Sequence, residues 1–493
     1  MAVQAILFDF DNTIAYTESI RGIRESRAYD ELTPETMARV RVYDPVPNLL
    51  SAIRAAGVKI GIVTNAGRGY LTPVLQHLNL TDAFDAIVTY TDVRAEGKKP
   101  SPKGIELVLE HLGIKAGPGI LYIGDENTDH EAAYRAGVTP VMPTWATRNS
   151  VTMAPAIEMS SNQLIQYLTD PGEFQLFAER CAELGTANYP RRGVYFLALD
   201  DSSNVVTLKE EMTSLCFGRY FSQKAAITAL MHERHALSLE IQRKETETPY
   251  QVPEHWCDLM AHVVRHPPSY IFDDANQHFD IVTVIPAKNG KDPRLERLLG
   301  GVEKRLQDAG HRAACVPDLL YFLDDAQSQK TLSRTERSYE ARRALQFNSE
   351  HSGLVAGRRV LVIDDVTTTG ATMERARNLL LGAGAAAAYG AAIAKTVSLM
   401  EDERPCPACG RPLKVKRNSK TGEHFWGCTG FADEENQCRH HEPLEKRECP
   451  KCGRDMRVQK VKRTGVKFWS CTGWNQNPTC NYSMDYDESE MPT

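Results

Sequence analysis

Eight of the twelve cysteines fall after Pro405 in two sets of almost identical spacing. Cys406, Cys409, Cys428 and Cys438 read C-x2-C-x18-C-x9-C, and Cys449, Cys452, Cys471 and Cys480 read C-x2-C-x18-C-x8-C. The surrounding sequence repeats with them: CPACGRPLKVKRNSKTGEHFWGCTGF returns as CPKCGRDMRVQKVKRTGVKFWSCTGW at an offset of 43 residues. A unit this short cannot bury enough apolar surface to hold itself together and needs a metal staple. Four thiolates in two close pairs match structural tetrahedral Zn²⁺, whereas a redox C-x-x-C pair has no use for the distal cysteines. Two zinc ribbons are expected, at 404–440 and 447–482, with His440 and His441 as alternatives to Cys438. The scattered Cys181, Cys216, Cys257 and Cys315 read as buried thiols.

The tail is only a fraction of a chain whose 493 residues predict about three domains. With 42% apolar and 25% charged residues the composition is globular, and no apolar run is long enough to span a membrane. Collagen, disorder and membrane integration are excluded. Net charge is -6, yet Arg404 to Thr472 carries 16 Lys plus Arg against 8 Asp plus Glu. The resulting +8 falls to about +4 if two four-thiolate zinc centres form. The first apolar run flows directly into Asp9, so a cleavable signal would remove site residues, and a cytoplasmic protein is expected.

Residues 1–150 alternate strand-like and helix-like segments: AILFDF, LLSAIRAAG, KIGIVTN, YLTPVLQHL, AIVTY, KGIELVLEHLG and ILYIGD. That alternation predicts an α/β domain with a parallel sheet, whose ligands bind at the carboxyl ends of the strands. Asp9 and Asp11 stand at the first such end, one placed to attack phosphorus and the other to move a proton. Thr64 ends a second strand, with a hydroxyl and an N–H suited to a phosphate oxygen. Lys99 supplies a cation, with Lys98 as the alternative. Asp125 and Asp129, one helical turn apart, suit Mg²⁺ together with Asp9 and Asp11. In order and spacing, DFDNT, IVTN, KKPSP and GDENTD resemble the four motifs of haloacid dehalogenase-like (HAD) hydrolases. The resemblance implies a Rossmann-like phosphatase that works through an aspartyl-phosphate on a phosphomonoester. The short insert TESIRGIRESRAY leaves room for a small cap only.

A linker is expected at 151–174, and residues 175–277 carry no motif; they read as a hood or as the start of the second domain. Within 175–277, GVYFLALD reads as a strand, and His232 and His235 read as a surface or capped pair. From 278 to 397 a second α/β block contains the strand RRVLVI, which runs into Asp364, Asp365, Val366, Thr367, Thr368, Thr369, Gly370, Ala371 and Thr372. Backbone N–H groups at such a strand-to-helix turn make a nest for a phosphate, and the paired carboxylates suit vicinal ribose hydroxyls. VLVIDDVTTTGAT resembles the 5-phosphoribosyl-1-pyrophosphate (PRPP) motif of type I phosphoribosyltransferases, and SQKTLSRTERSYEARRAL looks closest to their competence-associated (ComF-like) branch. The resemblance implies transfer from PRPP to a nucleobase-like acceptor, Lys288 and Arg294 as pyrophosphate contacts, and a homodimer through this core. Some members of this fold only bind such ligands as regulators.

In the tail, basic residues interleave with Phe425, Trp426, Phe468, Trp469 and Trp474, a pattern suited to stacking the bases of single-stranded DNA or RNA. The repeats resemble the C-terminal four-cysteine fingers of bacterial type I topoisomerases, which implies binding and not strand passage. Protein docking is the competing use, and as a third reading the aromatics beside the ligands are the small modules' own core in a purely structural tail. Two functions are therefore expected in competition. One is a tandem enzyme in which the transferase makes a phosphoribosyl compound and the phosphatase removes its 5-phosphate. The other is a nucleic-acid-bound stress or defence protein whose phosphoribosyl site senses a nucleotide.

Overall fold

The computed structural model describes residues 2–146, 150–187, 194–207, 211–268, 271, 278–323, 344–400, 404–419, 423–433, 436–444, 447–461 and 463–485. Most of SQKTLSRTERSYEARRAL lies outside them. Contacts divide the chain into two compact units, 1–220 with 236–397, and 221–235 with 398–493.

In the first unit, β1 (Ala5–Phe8) is the centre of a parallel sheet. Its four consecutive apolar residues are all buried, as a strand covered on both faces requires. Ile6 and Phe8 enter one core cluster and Ala5 and Leu7 another, the period-two alternation of a pleated strand. A ribbon of β2 (Ala15–Tyr16) and β3 (Arg41–Val42) follows, holding the short helix α1 (Arg21–Ser26) between its strands as the small cap. Helices α2 (Val46–Ala55), α3 (Arg68–His77), α4 (Tyr90–Gly97), α5 (Lys103–Leu112) and α6 (Asn127–Ala136) alternate with β4 (Lys59–Val63), β5 (Ala86–Val88), β6 (Ile120–Ile123) and β7 (Thr139–Pro143). In α2, Val46, Leu49, Leu50 and Ile53 are buried at helical spacing, which turns that face onto the sheet.

The segment expected as a linker is part of this sheet. β8 (Ile157–Met159) pairs in parallel with β7 and completes the order β5-β4-β1-β6-β7-β8. It is followed by α7 (Ser161–Tyr167), which Ser160 and Gln163 start with a reciprocal capping box. Three residues with only Ile157 and Met159 buried are too short for a period to be read from sequence.

Residues 175–277 likewise belong to the second sheet. After α8 (Phe177–Leu184) they supply β9 (Leu197–Leu199), β10 (Ser214–Cys216) and β11 (Arg219–Phe221). Among the described residues the sheet order is β13-β12-β16-β17-β10-β9, with β11 beside β17; it includes β12 (Ile281–Val284), β13 (Ala314–Cys315), β16 (Arg359–Thr367) and β17 (Ala387–Val397). β14 (Leu320–Phe322) and β15 (Leu345–Phe347) form a separate hairpin-like pair. The run LLLGAGAAAAYGAAIAKT, low in complexity, finishes the helix Ala371–Gly382 and continues into the small-residue strand β17. Helices α10 (Ala236–Gln242), α11 (Glu254–Arg265) and α12 (Arg294–Asp308) complete the layer, and Trp256, Leu259 and Leu298 lie in one core.

The two sheets are joined within this unit. Val151 bridges to Val205, and the buried Arg219 guanidinium makes a two-pronged ion pair with Glu179, each bond 2.8 Å, while donating to Tyr134 Oη at 3.2 Å. Tyr134 stands on α6, the helix that also carries Asp129.

The second unit holds α9 (Ala226–Arg234) and two four-stranded antiparallel ribbons. The first contains β18 (Arg404–Pro405), β19 (Pro412–Arg417), β20 (His424–Cys428) and β21 (His441–Pro443). The second contains β22 (Arg447–Glu448), β23 (Asp455–Lys460), β24 (Lys467–Cys471) and β25 (Ser483–Asp485). Glu233 of α9 accepts from the backbone N–H and Nδ1 of His424, tying helix to ribbon. His232 is fully buried, with Nδ1 2.8 Å from the Phe221 carbonyl, and the buried His235 caps the end of α9, so of the two readings the surface one fails and the capped one fits.

Candidate functional site

Asp9 leaves β1 with its N–H bonded to the Ile123 carbonyl, which fixes the strand end beside β6. One carboxylate oxygen from each of Asp9, Asp125 and Asp129 lies within 4.8 Å of the others. Lys99 enters from the loop before α5, its Nζ 2.7 Å from Asp9 and 2.5 Å from Asp129, and also donates to Tyr122 Oη at 3.1 Å. Lys99 is buried and Lys98 exposed, which separates the two alternatives. Thr13 donates to Asp125 at 3.0 Å.

Three buried carboxylates meet one ammonium in this cluster. Burial pushes Asp9 up to about 7 against the pull of Lys99, and burial, reinforced by Asp129 and Asp9, pushes Asp125 up to about 9. An all-oxygen set short of positive charge fits a hard divalent cation such as Mg²⁺. Asp11 stands apart from this group. Its carboxylate accepts from Thr17 at 2.7 Å and Tyr70 at 2.7 Å and pairs with Arg24 at 2.8 Å, so those donors, and not the metal cluster, engage its side chain. Arg24 comes from the cap helix and Tyr70 from α3; neither was singled out by sequence, because only the folded cap brings them to Asp11. The Thr64 N–H bonds to the Val88 carbonyl as part of the sheet, so only its hydroxyl, which accepts from Ala66, faces the role expected of it.

At the second site Asp364 and Asp365 lie in the last part of β16, which runs on to Thr367, and Gly370 caps the helix Ala371–Gly382 at φ +73°. Thr368 and Thr369 are exposed at the turn and Thr372 is half-buried in the first helical turn. Thr368 Oγ1 lies 3.0 Å from Thr396 Oγ1. Behind the turn the chain at 200–204 packs closely: Ser203 Oγ is 2.9 Å from Thr367 Oγ1, and a Cβ on Gly370 would stand 2.7 Å from the Asp201 carbonyl. Glycine is therefore required here by protein packing as well as by backbone conformation. Ser203 itself is held at φ +60°.

Asp365 Oδ2 accepts from Arg294 Nε at 2.8 Å and from Lys244 Nζ at 3.1 Å. Although burial disfavours its charge, Lys244 and Arg294 hold Asp365 below the usual carboxylate range, while burial and the Asp365 charge push Asp364 up to about 7. Lys288 is not part of this contact; it is exposed, its Nζ 5.6 Å from the Phe322 ring centre. Lys244 follows α10 in the stretch without motifs, and its approach across the fold leaves no local signal.

In the tail the sulfurs of each four-cysteine set converge. Cys406–Cys438 and Cys409–Cys428 are 3.8 and 3.4 Å apart, and Cys449–Cys480 and Cys452–Cys471 are 3.8 and 3.5 Å apart. Tetrahedral Zn–S bonds of about 2.3 Å require edges of about 3.8 Å, so both sets fit Zn²⁺. The Gly430 and Gly473 N–H groups donate to Cys428 and Cys471, each at 3.3 Å, the orienting contact expected around a thiolate ligand. Cys438 completes the first set, while His440 bonds to Glu442 and His441 is exposed.

The aromatic assignment changes. Trp426 and Trp469 are buried in the ribbon cores, with Arg404 and Arg447 over their faces. They are the small modules' own apolar centres, and their faces are already covered. Phe425 and Phe468 are half-buried. The exposed rings are Trp474, at 58%, and its repeat equivalent Phe431, at 55%. Phe431 was passed over, although the alignment of CTGF with CTGW contained the signal.

Family models match three successive parts of the chain, the second running past Val397 into the first four-cysteine set. The family model of haloacid dehalogenase-like hydrolases matches residues 23–142, that of the phosphoribosyl transferase domain residues 321–434, and that of the topoisomerase DNA binding C4 zinc finger residues 446–489. The chain is thus a three-part fusion of an HAD-like α/β domain, a phosphoribosyltransferase domain and a four-cysteine tail.

Among individual proteins, phosphoglycolate phosphatases from Escherichia coli (strain K12) and Shigella boydii are each 32% identical over 133 residues, covering 27% of this chain and 50% of theirs. The chain spans about half the length of these curated relatives. A HAD-superfamily hydrolase from Ehrlichia chaffeensis aligns with a TM-score of 0.27 and 19% identity, covering 34% of this chain and 98% of that one. Among the described residues no helix is long and apolar enough to cross a membrane.

Proposed function

We propose that this protein is a Mg²⁺-dependent phosphomonoester hydrolase joined to a PRPP-dependent phosphoribosyltransferase, with a zinc-ribbon tail that binds single-stranded nucleic acid. The convergence of Asp9, Asp125 and Asp129, with Lys99 bridging Asp9 and Asp129, carries the phosphatase reading. Asp9 attacks phosphorus, the ester P–O bond breaks, and Asp11 gives the leaving oxygen its proton. Water then attacks the aspartyl-phosphate, Asp11 takes a proton back, and inorganic phosphate departs. Asp9, Asp125 and Asp129 would hold Mg²⁺, which supplies charge neutralisation between nucleophile and phosphate. Lys99 favours the ionised form of Asp9 against its burial and orients it, and Arg24, Tyr70 and Thr17 fix the rotamer of Asp11.

In the tandem reading, the transferase replaces the pyrophosphate of PRPP with a base-like acceptor, and the phosphatase removes the 5-phosphate from that product. The exposed Thr368 and Thr369 at a helix start support a phosphate position there. A binding-only second site is favoured by the occupation of Asp365 by two cations. Phe431 and Trp474, exposed beside basic strands, support the strand-binding role. The first test is hydrolysis of a phosphomonoester panel, phosphoglycolate included, with and without Mg²⁺. Magnesium-dependent phosphate release lost in Asp9→Asn supports the reading; release unchanged in that variant sinks it.

A further inference from the structure

We propose that Lys244 is a diphosphate-binding residue of the second site, resting on Asp365 until the ligand's diphosphate takes its place. The inference rests on the reading of this domain as a PRPP site and adds to it a residue that no motif contains. Lys244 stands on the single turn Arg243–Glu245, 121 residues before the carboxylate it contacts. Its Nζ and Arg294 Nε share one acceptor, Asp365 Oδ2. Both cations are partly exposed, 18% and 30%, whereas the carboxylate between them is 6% exposed. Two cations thus line the open side of a buried acceptor.

That arrangement differs from what a ribose ring asks of the motif. Vicinal hydroxyls are donors and need carboxylate oxygens as acceptors, but Oδ2 of Asp365 already receives two donors. A ligand with phosphate at one end and diphosphate at the other resolves the conflict. The nest before Ala371 receives the monophosphate, the diphosphate draws Lys244 and Arg294 onto its own oxygens, and Asp365 is released to accept from a hydroxyl. An ammonium on a flexible four-carbon stem makes such an exchange without moving the backbone. Charge supports the direction, since the diphosphate brings more negative charge than the single carboxylate it displaces.

The full-length protein, titrated calorimetrically in Mg²⁺ with PRPP and with ribose 5-phosphate, separates this role from simple charge compensation. Ribose 5-phosphate has the monophosphate and the hydroxyls but no diphosphate. Lys244→Gln is expected to weaken PRPP roughly 10- to 100-fold, the worth of one charge-assisted bond, and to leave ribose 5-phosphate unchanged or bound more tightly, since one donor no longer fills Asp365. Lys244→Arg is expected to recover most of the PRPP affinity. Equal weakening of both ligands, or no change in either, overturns the proposal while leaving the site's reading intact. Failure of the wild-type protein to bind either ligand overturns both.

Discussion

The two phosphate sites are both built at the carboxyl end of a parallel strand, yet they stand at different stages of readiness. In the first, a buried lysine from the same domain bridges Asp9, the proposed nucleophile, and Asp129, a proposed metal ligand. In the second, the cations come from α12 and from the single turn after α10, and they occupy the carboxylate that a sugar would use. Preassembly suits a group that must attack, because orientation is then established in advance. An occupied acceptor suits a site that must first recognise its ligand and rearrange around it.

The largest effect that sharpens this contrast is loss of the nucleophile. Asp9→Asn should lower phosphatase kcat roughly 10⁴-fold or more, with PRPP affinity within about twofold of wild type by calorimetry. Parallel loss of both would mean that the sites are not separate. Next comes the junction between the sheets. Arg219→Met leaves Glu179 charged and buried and should cost about 3–5 kcal/mol, read as a lowered urea midpoint, with both sites lost in one transition. A smaller effect is expected in the tail: Trp474→Ala should weaken single-strand binding by about 1–3 kcal/mol in a fluorescence titration. Trp469→Ala should instead lower the thermal stability of the ribbon.

The smallest effect concerns pH. Asp364 is pushed up to about 7 by burial, so its ionisation in the folded protein opposes stability. That contribution is most favourable below the usual carboxylate range and is lost as pH rises through about 7. Asp364→Asn should therefore be increasingly more stable than wild type from pH 4 to 7, with the gain levelling above. Asp365, held low by its cations, should show the reverse sign: Asp365→Asn loses stability at neutral pH and less in acid. Matching pH profiles for the two variants would break the distinction between neighbouring carboxylates.

What the sequence disclosed follows from where the information lies. Asp9 and Asp125 follow strands whose apolar runs announced their positions, Asp129 stands in the first turn of the helix after Asp125, and Lys99 sits in the short motif KKPSP. Arg24, Tyr70 and Lys244 act through approaches made only in the folded chain, and nothing in their neighbours marks them. GVYFLALD announced β9, whereas the three-residue β8 and β10 were hidden because their length is below a readable period. The tryptophans were misassigned for another reason: a ring beside a zinc ligand serves equally as a miniature core or as a stacking surface, and burial alone separates Trp426 and Trp469 from Trp474.

The most direct measurement of the coupled account is mass spectrometry of wild type, Asp9→Asn and Asp364→Asn proteins incubated with PRPP, Mg²⁺ and a cell metabolite extract. The account predicts a new phosphoribosyl compound with Asp9→Asn, its dephosphorylated form with wild type, and neither with Asp364→Asn. PRPP left intact in every sample would contradict it.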